Sequence, residues 1–269
     1  MKKIALVGAA LLLAVGAQAQ MNVRVGAEAG LNLANMKYQE TDLNGGIPKT
    51  SDKSGDIKIG AKAGVVLDLG FNNSLSLQPG LFYSMKGFKS NSSSEYDFLG
   101  ATAEQTEKYS NTIHYLELPI NLHYRFGDEW SNTRFMIYAG PYAAYAIAGQ
   151  HKGTSKLSVG GTEIVSIDTS RALTFGNTST EIDMNDPFNP VTKNGDDLRA
   201  LDFGFQVGAG VEMNSGLYFK AQYQMGMANL ANDYSVKGPG FSQSGSGQAN
   251  NWCIGISVGY FFMNGNNRY

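Results

Sequence analysis

Between Ile57 and Leu69 the chain alternates with a period of two. The odd positions Ile57, Ile59, Ala61, Ala63, Val65, Leu67 and Leu69 are all apolar, whereas the even ones are Lys58, Gly60, Lys62, Gly64, Val66 and Asp68. That period marks one face of a strand rather than the stripe of a helix. Asp202–Met213 repeats it, with Phe203, Phe205, Val207, Ala209, Val211 and Met213 set against Asp202, Gly204, Gln206, Gly208, Gly210 and Glu212. The same alternation runs through Val23–Leu33, Leu75–Met85, Leu116–Phe126, Phe135–Ile147, Leu217–Met227 and Trp252–Phe262. Eight strands of about 9 to 13 residues are thus predicted. Such lengths suit tilted strands that cross a bilayer, and are roughly twice those of soluble strands.

The connections alternate as well. Long polar gaps follow the odd strands, at Ala34–Asp56, Lys86–Asn111, Gly149–Ala200 and Ala228–Asn251. Short turns follow the even ones, at Gly70–Ser74, Gly127–Thr133 and Asn214–Gly216. Outer-membrane barrels show this asymmetry. The predicted fold is all-β: an eight-stranded antiparallel up-and-down transmembrane β-barrel with long extracellular loops and short periplasmic turns. Aromatic residues support an apolar face turned to lipid. Tyr124, Phe126, Phe135, Phe219, Tyr260 and Phe262 fall at the turn end; Tyr83, Tyr145, Phe203, Phe205, Tyr223 and Trp252 fall at the loop end. Two membrane interfaces select such bands. A soluble barrel with its apolar face inside would leave Gly60, Gly64, Gly204, Gly208, Gly210, Gly255 and Gly259 on a solvated surface. Pro79, Pro119 and Pro141 lie within strands paired on both sides, and β-bulges are the expected accommodation.

The N-terminus adds the compartment. Lys2 and Lys3 precede an apolar run from Ile4 to Val15, and Ala17-Gln18-Ala19 closes it with a small-x-small site. This is the layout of a cleaved signal peptide, and the run is too short to span a membrane. The expected organisation is therefore a signal peptide at 1–19 and one barrel domain at 20–269. Loss of the two lysines takes the formal charge from −2 to −4. Cys253 is the sole cysteine, so no internal disulfide holds the fold. Aromatic residues are 11% and charged residues only 16%, so the chain is too aromatic and too lightly charged for disorder.

Candidate chemistry is confined to the polar face and the loops. The inward face carries Arg24, Glu28, Lys58, Lys62, Asp68, Glu117, His123, Arg125, Asp202, Glu212 and Lys220. Eight strands leave an interior that side chains fill, so a closed core of paired charges is expected rather than a charged pore. His114, His123 and His151 are the imidazoles available as bases, and His114 falls near the outer rim. No serine is placed beside it as a nucleophile, so no catalytic residue is assigned. Gly55 and Gly60 have phosphate-loop spacing, but Ala61 stands where the lysine belongs. Asp183, Asp186, Asp196 and Asp197 read as a solvated acidic loop rather than a metal site. No cofactor and no nucleic-acid partner is expected, since there is no basic run.

Several strand segments carry a resemblance. They are Gly30-Leu31-Asn32-Leu33, the run from Leu77 to Gly87, Tyr115-Leu116-Glu117-Leu118-Pro119, Ala139-Gly140-Pro141-Tyr142, and Asp202-Phe203-Gly204 leading to Gly208–Glu212. In these the chain resembles the Bacteroidetes-type outer-membrane β-barrel family, the porin-like group with PorT-type members. The resemblance implies a barrel inserted by the outer-membrane assembly machinery and supplies no catalytic residues. The last strand ends at Phe262 with seven residues beyond it, so the terminal aromatic signal of such barrels is displaced unless Tyr269 provides it. The expected function is a non-enzymatic barrel in the cell outer membrane, in contact with lipid and lipopolysaccharide, whose loops meet a protein or surface ligand. A small-solute channel and a lipid-modifying enzyme are the alternatives.

Overall fold

The computed structural model describes residues 22–42, 49–98, 101–127, 132–183, 185, 191–239 and 241–264. The predicted signal peptide, Asp186 and Tyr269 lie outside the described residues. The strands are β1 (Asn22–Asp42), β2 (Lys49–Ser54), β3 (Asp56–Gly70), β4 (Leu75–Phe98), β5 (Ala101–Phe126), β6 (Thr133–Val159) and β7 (Thr162–Ala172). They continue with β8 (Thr180–Asp183), β9 (Val191–Lys193), β10 (Leu201–Met213), β11 (Leu217–Gly226), β12 (Asp233–Gly238), β13 (Phe241–Ser246) and β14 (Ala249–Asn264). Eight of them, β1, β3, β4, β5, β6, β10, β11 and β14, pair antiparallel in chain order, and β14 returns to β1 to close the ring. Closure removes every edge, as lipid requires.

The predicted faces hold through the wall. Leu31, Leu118, Ile137, Val207 and Ile256 are exposed on the outside, and the alternate residues Asn32, Glu117, Tyr138, Gln206 and Ser257 are buried inside. Both aromatic bands lie on the outer face, where Trp252 packs beside Tyr223 with ring centroids 6.4 Å apart. The inward glycines make room for rings. A Cβ at Gly208 would collide with the Tyr138 ring, and one at Gly259 with that of Tyr218.

One expectation is filled in and one is corrected. The long gaps after Ala34, Lys86 and Gly149 do not begin as irregular loop, because the wall strands run on beyond the membrane. β4 and β5 stay paired as far as Phe98 and Ala101, β1 pairs with β2, and β6 folds back onto β7. Gly160 and Gly161 close that last hairpin with φ of 58° and 79°, the pair of positive values a type I′ turn requires. β8, β9, β12 and β13 form a second, four-stranded sheet above the barrel. Apolar alternation stops where lipid stops, while the hydrogen-bond ladder continues. Nor do bulges accommodate the prolines. Each proline leaves a gap in one ladder with the register unchanged: Pro79 against β3, Pro119 against β4 and Pro141 against β5. The wall's register shifts lie instead between Val25 and Gly26, Ile57 and Lys62, and His114 and Tyr115.

Candidate functional site

The lumen is filled by charged and polar side chains stacked along the barrel axis. Nearest the short turns, Asp68 and Glu212 sit among three guanidinium groups. Arg24 donates through Nε to Asp68 Oδ2 at 2.9 Å and through Nη1 to Glu212 Oε1 at 2.5 Å. Arg125 donates through Nη2 to both Asp68 oxygens at 2.9 Å and through Nε to Glu212 Oε2 at 2.8 Å. Arg134 reaches Glu212 Oε1 at 3.0 Å, and Ser76 Oγ donates to Asp68 Oδ1 at 2.7 Å. The Arg24 guanidinium also lies 4.1 Å from the Phe261 ring centre. Every carboxylate oxygen there has a charged donor, the condition under which buried ions persist.

One layer higher, Glu28 lies between two ammonium groups, Lys62 Nζ at 2.9 Å and Lys220 Nζ at 3.1 Å. Lys220 also donates to Gln78 Oε1 at 2.5 Å, and Lys62 to Gln222 Oε1 at 3.1 Å. His123 is fully buried and stacks on Tyr138, with ring centroids 4.7 Å apart and planes at 10°. In the third layer Lys86 Nζ pairs with Glu117 Oε2 at 2.6 Å, and Gln224 donates to Glu117 Oε1 at 3.0 Å. Asp202 Oδ2 accepts from Asn251 at 3.2 Å and from the Tyr142 hydroxyl at 3.3 Å. The free space among Glu28, Lys62, Gln78, Lys220 and Gln222 is about 10 Å³, room for at most one water molecule.

Of the predicted inward residues, all but Lys58 are buried in these layers. Lys58 is the correction. The register shift in β3 between Ile57 and Lys62 takes it out of the luminal network. Its Nζ donates to Ser110 Oγ at 2.6 Å, at the outer rim. Lys86 and Arg134 are luminal cations that the prediction omitted. Lys86 continues the inward parity of Ser76, Gln78, Gly80, Phe82 and Ser84, but β4 was expected to end at Met85, one residue short of it.

The outer mouth is closed by an apolar cap. Met36, Ile113, Tyr115, Tyr142, Ala144 and Ala146 of the wall pack against Leu173, Ala228 and Leu230 from the loops, with Phe88, Phe175 and Leu198 alongside. Backbone bonds stitch it to the wall: Leu173 N to Gly149 O at 3.0 Å, Ala146 N to Ala200 O at 2.8 Å, and Leu230 N to Ala249 O at 2.8 Å. Above it, Arg171 makes two bonds to Asp197, at 2.7 and 2.8 Å, and the Thr174 amide donates to Asp197 at 2.8 Å. Burial alone would raise the Asp197 carboxyl, but these donors hold it below its ordinary range. Asp197 is thus committed to Arg171, and no cluster of three metal-ligating side chains occurs among the described residues. His114 Nδ1 meets the Tyr83 hydroxyl at 2.5 Å on the outer wall. His151 Nδ1 meets Asn111 Oδ1 at 2.7 Å in the outer hairpins.

Solved structures similar to this chain are outer-membrane barrels. The N-terminal barrel domain of Pseudomonas aeruginosa OprF is 11% identical, over 87% of this chain and 97% of that one, with a TM-score of 0.28. Neisserial surface protein A is 11% identical over 89% and 97%, with a TM-score of 0.29. The Escherichia coli outer membrane protease OmpT is 9% identical over 91% and 99%, with a TM-score of 0.34. No curated protein matches the sequence. A family model does: that of the outer membrane protein beta-barrel domain, over residues 17–232. With that match and a closed antiparallel ring whose outer face is apolar, the chain belongs to the outer membrane protein beta-barrel domain family, and its place is the outer membrane.

Proposed function

We propose that this protein is a closed, non-enzymatic barrel that holds an ordered loop platform at the cell surface. The observation that carries this reading is the filled lumen: three layers of paired charge occupy it, the space among Glu28, Lys62, Gln78 and Lys220 is about 10 Å³, and an apolar cap packs above them. Material spent on closing the barrel leaves the second sheet and the extended hairpins as the surface open to partners. Long ordered loops of this kind are commonly functional. On the outer wall, Lys58, Lys89 and Lys152 gather around Ser110, a cationic rim suited to the phosphates of outer-leaflet lipopolysaccharide. Insertion by the outer-membrane assembly machinery and a PorT-type part in secretion belong to the same reading, and rest on the strand motifs quoted above. Planar-bilayer recording of the purified protein tests it. The expected record is silent, and steady single-channel steps that scale with salt would replace this reading with a solute pore.

A further inference from the structure

The loops border an open crevice of about 840 Å³ between the segments 171–180, 194–198 and 231–234. That volume is in the range of small-molecule sites. Its walls are fixed from within. Asp197 is held by Arg171 and Thr174, Asp196 Oδ2 accepts from the Thr178 amide at 3.0 Å, and Asn232 Nδ2 donates to Gly176 O at 3.3 Å and Asp196 O at 2.9 Å. The parallel pairing of β12 with β8 sets Tyr234 opposite Thr180.

The lining indicates what fits. Three carboxylates, Asp196, Asp197 and Asp233, outnumber the two guanidinium groups that engage them, Arg171 and Arg199, so a phosphate, sulfate or uronate would meet net negative charge. Two of those carboxylates are already engaged by arginine: Asp197 by Arg171, and Asp233 by Arg199 at 3.8 Å. Little charge is left over to hold a cation. Leu198 and Ala231 supply too little apolar surface for a lipid chain. Beside the Asp196 carboxylate, which accepts from the Thr178 amide, what remains free is neutral. The Thr178 hydroxyl, the Asn194 amide and the Tyr234 hydroxyl make no side-chain hydrogen bond among the described residues, and the half-buried Tyr234 ring offers a flat apolar face. Neutral hydroxyl and amide groups beside one aromatic ring match a sugar, which carries many hydroxyls on one edge and C–H groups on its face.

We infer that this crevice binds a neutral oligosaccharide at the cell surface. The inference rests on the loop-platform reading and supplies its ligand. The test uses the full-length protein in detergent on an array of neutral, sialylated and sulfated glycans, followed by calorimetric titration of the retained neutral oligosaccharides. Bilayer conductance is recorded on the same preparation. The expected result is retention of neutral glycans, with Tyr234→Ala and Asn194→Ala each weakening the dissociation constant at least tenfold while heat-modifiable gel mobility stays that of the folded barrel. An array without neutral binders, a preference for anionic glycans, binding only to a cationic peptide control, or unchanged affinity in both folded variants would each overturn the inference. A silent conductance trace beside an empty array would refute the sugar site and leave the closed barrel standing, whereas channel steps would refute the closed barrel itself.

Discussion

Replacing Glu117 by Leu removes the carboxylate from the third luminal layer and keeps most of its volume. Lys86 loses its ion-pair partner at 2.6 Å, and Gln224 loses an acceptor at 3.0 Å. Lys86 is 2% exposed, so its ammonium cannot turn to bulk water. Breaking a buried pair by deleting one member costs about 3–5 kcal/mol, because the other charge stays desolvated. The Tyr142 ring at 4.8 Å and the Tyr115 ring at 5.6 Å remain under the abandoned ammonium, and Gln224 keeps Gln206 at 3.3 Å. Those faces, each worth up to about 2 kcal/mol to a desolvated cation, put the expected loss at the lower end, about 3 kcal/mol. Adding Lys86→Met removes the stranded charge, and such paired replacements are neutral or stabilising by about 1–4 kcal/mol. The assay is the folded fraction against urea, read from heat-modifiable gel mobility in detergent, for both single variants and the double. The double should recover at least wild-type stability, and no variant should conduct. Equal stability of Glu117→Leu and wild type, or a double variant less stable than either single, would refute the account of a charge-paired plug.

Val207→Arg, at an outward position 55% exposed and set between Ala139 and Tyr223, should cost about 2–4 kcal/mol in the same refolding assay, and an unchanged folded fraction would mean that β10 presents its other face to lipid. Single cysteines at Ser93, Thr178 or Ser244 should take an impermeant label on intact cells while one at Asn73 does not, with the native Cys253, 1% exposed, silent in the background; equal labelling at Asn73 would reverse the orientation. Because the folded pKa of Asp197 is depressed, its bonds to Arg171 and Thr174 are fully present above the unfolded value of about 3.9 and are lost as the pH falls through the folded value. Protection of the amides of residues 171–178, taken relative to intrinsic exchange at each pH, should therefore fall on acidification below about pH 4, and constant protection down to pH 2 would contradict the assignment.

The wall was legible because lipid imposes one rule on every strand: apolar at each second residue. Parity alone then placed Arg24, Asp68, Glu212 and the other luminal charges, without any knowledge of what they pair with. The partners were not legible. Arg24 and Glu212 are 188 residues apart and belong to strands that are not neighbours, so only closure of the ring brings them within 2.5 Å. Lys86 was missed for a different reason. At the outer rim both faces of β4 leave lipid, the alternation fades, and the strand was expected to stop where its signal did. Lys58 marks the complementary limit, since a one-residue register shift is invisible in composition yet moves a side chain out of the network.

The prolines show why the register shifts lie where they do. A bulge inverts the parity of everything beyond it. At Pro79–Gly80 it would turn either Ser76 and Gln78 or Ser84 and Lys86 toward lipid; at Gly140–Pro141 it would turn out either Tyr138 or Tyr142. A lysine facing the bilayer interior costs about 2–4 kcal/mol. Its abandoned carboxylate adds about 3–5 kcal/mol. A ladder bond lost on one side leaves a single carbonyl short of a donor, at about 1–3 kcal/mol. The gap is the smaller loss, and the ladder on the other side still fixes the strand, as where Pro79 stays opposite Ile120 and Pro141 opposite Phe205. The wall's bulges fall instead at Val25–Gly26 near the turns, and at Ile57–Lys62 and His114–Tyr115 near the outer rim. At the first the extra residue belongs to β14, so Arg24 keeps its inward face, and none of the three turns a buried charge outward. The luminal ion pairs thus dictate the hydrogen-bond pattern of the wall that surrounds them.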